Sequence, residues 1–238
     1  DRAMGPDTTG EEPRTHELHL EIVPWFDPEV PSGSRLSPKV RAVCSEGCDL
    51  TGAQVALWNG TEPVASTSLA SFDAGSNSSG ELALGAPPVV GDHEWSLVLS
   101  PKDGDSDHSE ASLKLPFRTR AHRTAVQVWD VASPLTIGQR VGVSVGAKCL
   151  DGCGLQGAGV EILDAAGQRS AFTRLKDATW PGSGLFWTEV GFDAPDAEGV
   201  FSWRAALRID DMDLPHGAAS STFGFATVPP ASRRLTVE

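Results

Sequence analysis

The sequence lacks features that define several large functional classes. It contains no run of about 18 apolar residues, so no transmembrane helix is predicted. Basic residues are few: 19 lysines and arginines stand against 32 acids, which gives a net charge of −13. Because such a surface repels polyanions, a nucleic-acid partner is not expected. Glycine-rich phosphate-binding loops are missing altogether.

Two halves of the sequence repeat each other. A Cys-x-x-x-Cys motif occurs twice, 105 residues apart, with matching glycine, leucine and alanine residues around it. Further along, the offset becomes 108 residues, and a tryptophan and a phenylalanine match there. The matching pairs include Cys44 and Cys149, Cys48 and Cys153, Trp95 and Trp203, and Phe117 and Phe225. So many matches in one order indicate an internal duplication of about 105 residues.

Each repeat has the pattern of short β-strands. Apolar residues alternate with polar ones, as at Leu18, Leu20 and Ile22. This period of two predicts half-buried strands, and no segment of about twelve residues shows a helical stripe. Glycine, serine and asparagine cluster between these runs, for example at 73–80, and predict turns. The sequence therefore predicts an all-β fold of two-sheet sandwiches.

The repeats resemble the immunoglobulin-like and fibronectin type III-like domains that are common in secreted bacterial proteins. About seven strands per repeat carry this resemblance, together with a Gly-x-x-x-Trp-x-x-x-Leu segment around Trp95 and Trp203. It implies two tandem immunoglobulin-like β-sandwich domains related by duplication. We expect both tryptophans in the cores. The predicted boundaries are a disordered or vector-derived leader at 1–14, domain 1 at 15–120, domain 2 at 121–230, and a tail or the start of a further strand at 231–238.

The four cysteines are predicted to form two local disulfides, Cys44–Cys48 and Cys149–Cys153. The duplication makes pairing within each motif the most economical arrangement, and a glycine before the second cysteine allows a sharp turn. Disulfides need an oxidising compartment, so an extracytoplasmic location is predicted: secreted, cell surface or periplasm. The alternatives are free thiols, or zinc held by two thiolates from each repeat. Zinc ligands are more often spaced Cys-x-x-Cys, and no histidine pair at metal-ligand spacing accompanies these motifs.

An acidic loop in the first repeat is a candidate calcium site. Asp103, Asp105 and Asp107 precede His108, and the pattern Asp-x-Asp-x-x-His returns before His216. Alternating carboxylates in a turn can hold a hard cation such as calcium. The glycine and glutamate of a calcium loop are missing, so a solvated acidic turn is the simpler interpretation. No other cofactor is expected.

Two pairs of histidines occupy matching places in the repeats. His16 and His122 begin the first strand of each repeat, whereas His108 and His216 precede the last strand. If the first strand runs parallel beside the last, the two histidines of one repeat approach each other. No nucleophile accompanies them, so a hydrogen-bonded structural role is predicted.

The sequence offers no convincing catalytic group. Gly142-Val-Ser144-Val-Gly146 matches the Gly-x-Ser-x-Gly pattern of hydrolases. That motif requires a strand, a strained turn and then a helix, whereas Ser144 lies within a continuous strand pattern. The cysteines have no readable catalytic histidine and asparagine partners. The protein is therefore predicted not to be an enzyme.

An aromatic segment in the second repeat is the candidate partner-binding site. Trp180, Phe186 and Trp187 lie in a loop-to-strand segment that the first repeat lacks. Such rings bind partners or fill a core. The sequence predicts an exported, non-enzymatic spacer or protein-binding module that contacts another protein of a larger surface or periplasmic assembly. The alternative is a carbohydrate- or calcium-binding accessory domain.

Overall fold

The computed structural model describes residues 15–23, 28–102, 104–105, 107–210 and 212–230. The predicted leader at 1–14 and the predicted tail at 231–238 lie outside the described residues. The chain divides into two compact units, unit 1 ending at Arg120 and unit 2 beginning at Ala121. The all-β prediction is confirmed, because every element of regular secondary structure among the described residues is a β-strand. None of these residues forms a helix long and apolar enough to cross a membrane.

Ten strands lie in the described part of unit 1. They are β1 (Leu18–Val23), β2 (Glu29–Pro31), β3 (Arg35–Leu36), β4 (Lys39–Cys44), β5 (Gln54–Asn59), β6 (Glu62–Asp73), β7 (Ser76–Glu81), β8 (Leu84–Gly85), β9 (Gly91–Ser100) and β10 (Ala111–Arg120). Eight strands lie in the described part of unit 2. They are β11 (Thr124–Trp129), β12 (Leu135–Thr136), β13 (Arg140–Cys149), β14 (Gly159–Leu163), β15 (Arg169–Arg174), β16 (Phe186–Asp193), β17 (Gly199–Leu207) and β18 (Ser220–Val228).

Strand β6 joins the two sides of unit 1. Its first half pairs with β5 and its second half pairs with β7. The result is one eight-stranded sheet in the order β1-β4-β7-β6-β5-β9-β10-β2, while β3 and β8 form a separate two-stranded sheet. One buried apolar cluster gathers residues of β4, such as Val40, with residues of β5 and β9, such as Val55 and Leu97. Burial of these side chains is the main stabilising contribution to the unit.

Unit 2 has two separate main sheets. One contains β11-β13-β16, and the other contains β12-β18-β17-β14-β15. Val145 and Phe192 from the first sheet share a buried cluster with Ile162 and Trp203 from the second. Alternation along each strand sends these residues inward, which is the packing of a β-sandwich.

The predicted core tryptophans are buried in both units. Trp95 is 2% exposed and Trp203 is 6% exposed. Each meets the matching phenylalanine edge-on, with 4.6 Å between the ring centroids of Trp95 and Phe117 and 5.3 Å between those of Trp203 and Phe225. Edge-to-face contacts of this kind stabilise aromatic cores beyond the burial of area. The two units therefore use the same aromatic pair at the same place.

The turn predicted at 73–80 is wrong for most of its length. Only residues 74–75 turn, and β7 begins at Ser76. Asn77 is fully buried and its side-chain oxygen accepts a hydrogen bond from the Leu50 backbone N–H at 2.9 Å. Its side-chain nitrogen donates to Asp49 Oδ1 and to the Ser71 carbonyl. These tertiary hydrogen bonds hold a polar segment in a strand, which local turn preference opposes.

Candidate metal centres

The first centre forms where β4 ends and β1 begins. Cys44, the last residue of β4, lies opposite Leu18, the first residue of β1. Because these strands are antiparallel, His16, just before β1, also reaches the end of β4. His108 lies beside His16 in a parallel bridge, and the His16 N–H donates to the Asp107 carbonyl at 2.9 Å. The first centre comprises His16, Cys44, Cys48 and His108.

The potential ligand atoms of the first centre converge closely. The Sγ atoms of Cys44 and Cys48 are 2.9 Å apart. His16 Nδ1 lies 3.1 Å from the Cys48 Sγ and 3.8 Å from the Cys44 Sγ, while His108 Nε2 lies 3.5 Å from the Cys44 Sγ. The four side chains are buried or half-buried, so a group held among them is largely shielded from water.

The second centre repeats this construction in unit 2. Cys149 ends β13 opposite Thr124, the first residue of β11, and His122 pairs in parallel with His216. His122 Nδ1 lies 2.9 Å from the Cys153 Sγ and 3.6 Å from the Cys149 Sγ. The second centre comprises His122, Cys149, Cys153 and His216, and in each centre one ligand atom per residue lies within 4.8 Å of the others.

The two predicted disulfides are not formed in the structure. All four cysteines are free thiols. The predicted sharp turns are present, since Gly47 and Gly152 have positive φ of 70° and 94°. Each turn folds its second cysteine back toward the first, but a histidine ring lies against the sulfurs in both units. The two cysteines of each motif therefore belong to a larger cluster, which also contains two histidines.

The donor set of each centre fits a zinc ion. Two thiolates and two imidazoles form the usual closed ligand set of structural zinc. Zinc bonds of about 2.3 Å to sulfur and 2.0–2.1 Å to nitrogen place ligand atoms roughly 3.3–3.8 Å apart in a tetrahedron. In the first centre, the separations of 3.5 and 3.8 Å lie in this range, whereas the two that involve the Cys48 Sγ, at 2.9 and 3.1 Å, are shorter. Cys44 and Cys48 with His16 and His108 would hold one ion, and their counterparts would hold a second.

One buried nitrogen in the second centre supports this fit. His216 is 8% exposed, and its Nε2 has no hydrogen-bond partner among the described residues. Its other ring nitrogen, Nδ1, lies 2.7 Å from the Leu214 carbonyl. A buried nitrogen without a partner is unfavourable, whereas a ligating histidine normally hydrogen-bonds through the opposite ring nitrogen. Cys153 and His216 also line a surface cleft of about 310 Å³, which provides an entry path.

The electrostatics of the first centre favour a thiolate at Cys44. Burial alone would raise the pKa of this thiol, but hydrogen bonds from the Cys48 thiol and amide and from His108 lower the pKa to about 6. The hydrogen bond with Cys44, together with burial, raises the pKa of Cys48 to about 11. Burial and Cys149 likewise raise the pKa of Cys153 to about 11. Because thiolates are the ligating form, one sulfur of the first centre is prepared for a cation.

The acidic loop considered for calcium also lies against the first centre. Both carboxylate oxygens of Asp105 lie within 2.9 Å of His108 Nδ1. Burial by itself would lower the pKa of His108, but the hydrogen bond with Asp105 raises it. Asp107 is exposed and Asp103 lies outside the described residues. Asp105 thus orients a histidine, and the calcium site stays a prediction.

The aromatic residues predicted to bind a partner divide into two groups. Phe186 packs against the core of unit 2. Trp180 is 37% exposed and meets Trp187 edge-on at 4.9 Å between ring centroids. Trp129 contacts Trp180 at 5.2 Å, and Lys176 Nζ lies 3.8 Å from the Trp187 centroid. Sequence reasoning missed Trp129, which reaches this patch only through the pairing of β11 with β13 and of β13 with β16.

Ser144 occupies a strand, as predicted from the pattern around it. It lies in the middle of β13, is 4% exposed, and donates a hydrogen bond from its hydroxyl to Asp130 Oδ2 at 2.9 Å. A nucleophilic serine needs an exposed hydroxyl on a turn and a base that accepts its proton. The geometry around Ser144 has neither a turn nor an exposed hydroxyl.

Comparisons with known proteins assign the chain to no family. No family and no curated protein matches the sequence. The chain is similar to the fibronectin(III)-like modules of CbhA from Clostridium thermocellum, with 14% identity, a TM-score of 0.32, and coverage of 90% of this chain and 94% of that chain. It is also similar to the adhesin InvE of Yersinia pseudotuberculosis, with 15% identity, a TM-score of 0.32, and coverage of 92% and 61%. A transglutaminase of red sea bream matches with 13% identity, a TM-score of 0.38, and coverage of 91% and 32%. Because these identities and TM-scores are low, the strand pairings of this chain alone define its fold.

Proposed function

We propose that the chain is a non-enzymatic module in which a Cys₂His₂ zinc centre completes each β-sandwich unit. One observation carries the proposal: four potential ligand atoms, drawn from three separate segments, converge within 4.8 Å in both units. Structural zinc adds its binding free energy to folding, because the unfolded chain does not hold the ligands together. In each unit the ion would tie the first strand, the Cys-x-x-x-Cys turn and the loop before the last strand.

A structural rather than a catalytic role follows from the ligand count. Catalytic zinc usually has three protein ligands and keeps a fourth position for water or substrate. Each centre here offers four protein ligands. Zinc would supply a fixed positive charge and a rigid junction, while the histidines and cysteines orient three chain segments. This arrangement suits a spacer or a protein-binding module within a larger surface or periplasmic assembly.

Metal analysis tests the zinc centres. The full chain, purified without chelators, is expected to contain two equivalents of zinc. Cys44→Ser should lower the content to one equivalent, and adding Cys149→Ser should lower it to none. His16→Ala should also remove one equivalent. His19→Ala is the matched control, because His19 is exposed on β1 and lies outside the cluster. It should leave two equivalents in place.

The same samples distinguish zinc from the disulfides predicted from sequence. Alkylation of denatured, zinc-loaded protein should modify all four cysteines without prior reduction. A chain that holds no zinc and resists alkylation until reduced would overturn the proposal and establish Cys44–Cys48 and Cys149–Cys153 bonds. Stoichiometric copper in place of zinc would overturn the choice of metal.

Support for a binding surface comes from the patch of Trp129, Trp180, Trp187 and Lys176 on unit 2. Interface centres are rich in aromatic residues and poor in acids, and unit 2 carries the smaller share of the net negative charge. We expect Trp180→Ala to reduce capture of a protein partner from native extract, while unit 2 stays folded. Unchanged capture would refute the assignment of this surface. Binding to a glycan panel that Trp180→Ala abolishes would replace the protein partner with a carbohydrate.

The extracytoplasmic location is a further part of this proposal. The disulfides predicted from the sequence indicated this location, but the four cysteines are free in the structure. Small β-sandwich repeats suit the stalks of surface and periplasmic assemblies, and this supports the proposed location. Fractionation of native cells with an antibody against the chain tests the location. Recovery in the cytoplasmic fraction alone would overturn it.

A further inference from the structure

The two centres differ in what supports one histidine. In the first centre, His108 Nδ1 contacts the Asp105 carboxylate at 2.8 and 2.9 Å. This leaves His108 Nε2 directed at Cys44. In the second centre, the corresponding His216 Nδ1 contacts a neutral group, the Leu214 carbonyl, at 2.7 Å. A carboxylate partner and a carbonyl partner both orient the ring, but only the carboxylate adds a negative charge.

One residue distinguishes the loop of the second centre from the loop that holds Asp105. Asp105 Oδ1 accepts hydrogen bonds from the backbone N–H groups of Asp107 and His108, at 3.1 and 3.2 Å. These bonds fold the carboxylate back toward the ring. The loop of unit 2 has the same Asp-x-Asp-x-x-His spacing, but Pro215 takes the place of Asp107. Proline has no N–H, so Asp213 lacks one of the two backbone donors that hold Asp105. Asp213 is exposed in the structure.

We propose that Asp105 is a positioning residue that gives the first centre the higher zinc affinity, so that the first centre fills before the second. This inference rests on the proposed function. A carboxylate behind a ligating histidine fixes the ring and increases its electron donation to the metal. Asp151 also lies close to the second centre, and its charge acts on Cys153; its carboxylate is paired with Arg123, whose Nη2 lies 3.1 Å away. Asp105, by contrast, contacts the ring of a candidate ligand directly.

Zinc competition with a chromogenic chelator measures the difference. Metal-free, reduced full chain should bind zinc in two steps. The first step should be about 10–100-fold tighter, the usual effect of such supporting groups. Cys149→Ser retains the first centre alone and should keep the tight step. Cys44→Ser retains the second centre alone and should keep the weak step.

Substitutions of the two aspartates identify the cause. In the Cys149→Ser background, Asp105→Asn removes the charge but retains an oxygen, and it should weaken zinc binding by about 10-fold or more. Asp213→Asn, in the Cys44→Ser background, is the matched control and should leave the affinity unchanged. At saturating Co²⁺, Asp105→Asn should keep the absorption bands of thiolate and imidazole ligands. Unchanged bands would show that the ligands are those of the parent, so that the variant has lost affinity alone.

Each outcome bears on one of the two proposals. A wild-type chain that binds two zinc ions with equal affinity overturns the inference and leaves the zinc centres in place. An Asp105→Asn variant whose affinity stays within about twofold of its parent also overturns it. A wild-type chain that binds no zinc overturns the proposed function itself.

Discussion

The two units have different residues at an equivalent position, on the strand that pairs with the one ending in Cys44 or Cys149. In unit 1, Asn77 lies opposite Ala42 on β4, two residues before Cys44. In unit 2, Phe186 lies opposite Ala147 on β13, two residues before Cys149. Asn77 is fully buried and hydrogen-bonded, whereas Phe186 is half-buried against the apolar core. The same register therefore accepts a polar network in one unit and an aromatic ring in the other.

The units also differ in the segments that lead into these strands. Unit 1 continues from β6 directly into β7 through a tight turn, and β6 links both sides of the unit. In unit 2, β15 ends at Arg174 and β16 begins only at Phe186. The intervening segment carries Trp180. The units agree at the candidate metal ligands and the core tryptophans and differ along this edge. A common framework thus leaves one edge free to acquire a separate surface.

The largest expected effect tests what the units have in common. Trp95→Ala and Trp203→Ala should each reduce the free energy of unfolding by about 3–5 kcal/mol, because each removes a large buried ring and leaves a cavity. Chemical denaturation of the full chain measures both. Val200→Ser, at a residue that is 86% exposed, is the control and should stay within about 0.5 kcal/mol of wild type. A small loss in only one unit would show that the aromatic pairs are not equivalent.

A smaller effect tests the polar network of unit 1. Asn77→Ala should reduce stability by about 1–3 kcal/mol, because the Leu50 N–H then loses its buried acceptor. Denaturation curves compare it with Ser78→Ala on the same strand, which should change stability by no more than about 0.5 kcal/mol. Equal effects of the two variants would mean that the network does not hold β7 in place.

An effect of comparable size is expected from a substitution that makes the zinc affinity of the second centre more like that of the first. Pro215→Ala restores a backbone N–H that can hold Asp213 toward His216. In the Cys44→Ser background, we expect zinc to bind up to about 10-fold more tightly, which corresponds to about 1.4 kcal/mol. The hydrogen bond from the His122 N–H to the residue 215 carbonyl does not depend on proline and should persist. Weaker zinc binding would indicate that proline itself shapes the loop for the metal.

The smallest expected effect concerns the aromatic patch that unit 1 lacks. Trp180→Ala should reduce stability by about 1 kcal/mol, because its ring contacts two neighbours edge-on but is partly exposed. Trp180→Phe, which keeps a ring, should lose less. Thermal denaturation measures both variants. A loss above about 3 kcal/mol would place Trp180 in the core rather than on a binding surface.

The sequence by itself determined the strand class, the duplication and the core tryptophans. These features depend on local alternation and on matches between copies, so Trp95 and Trp203 could be placed inside without knowledge of the fold. It also indicated that His16 could meet His108. It failed at 73–80, where serine and glycine favour a turn but the buried hydrogen bonds of Asn77 hold a strand.

Only the tertiary structure decided which side chains meet at the cysteines. His16 and His108 are 28 and 64 residues from Cys44 along the chain, so no local spacing rule places them in one cluster with it. The antiparallel pairing of β1 with β4 and the parallel bridge between the two histidines bring them together. Sequence reasoning therefore treated two cysteines as a pair of their own and predicted a disulfide. Strand register, which is a long-range property, turns the same cysteines into half of a four-residue site.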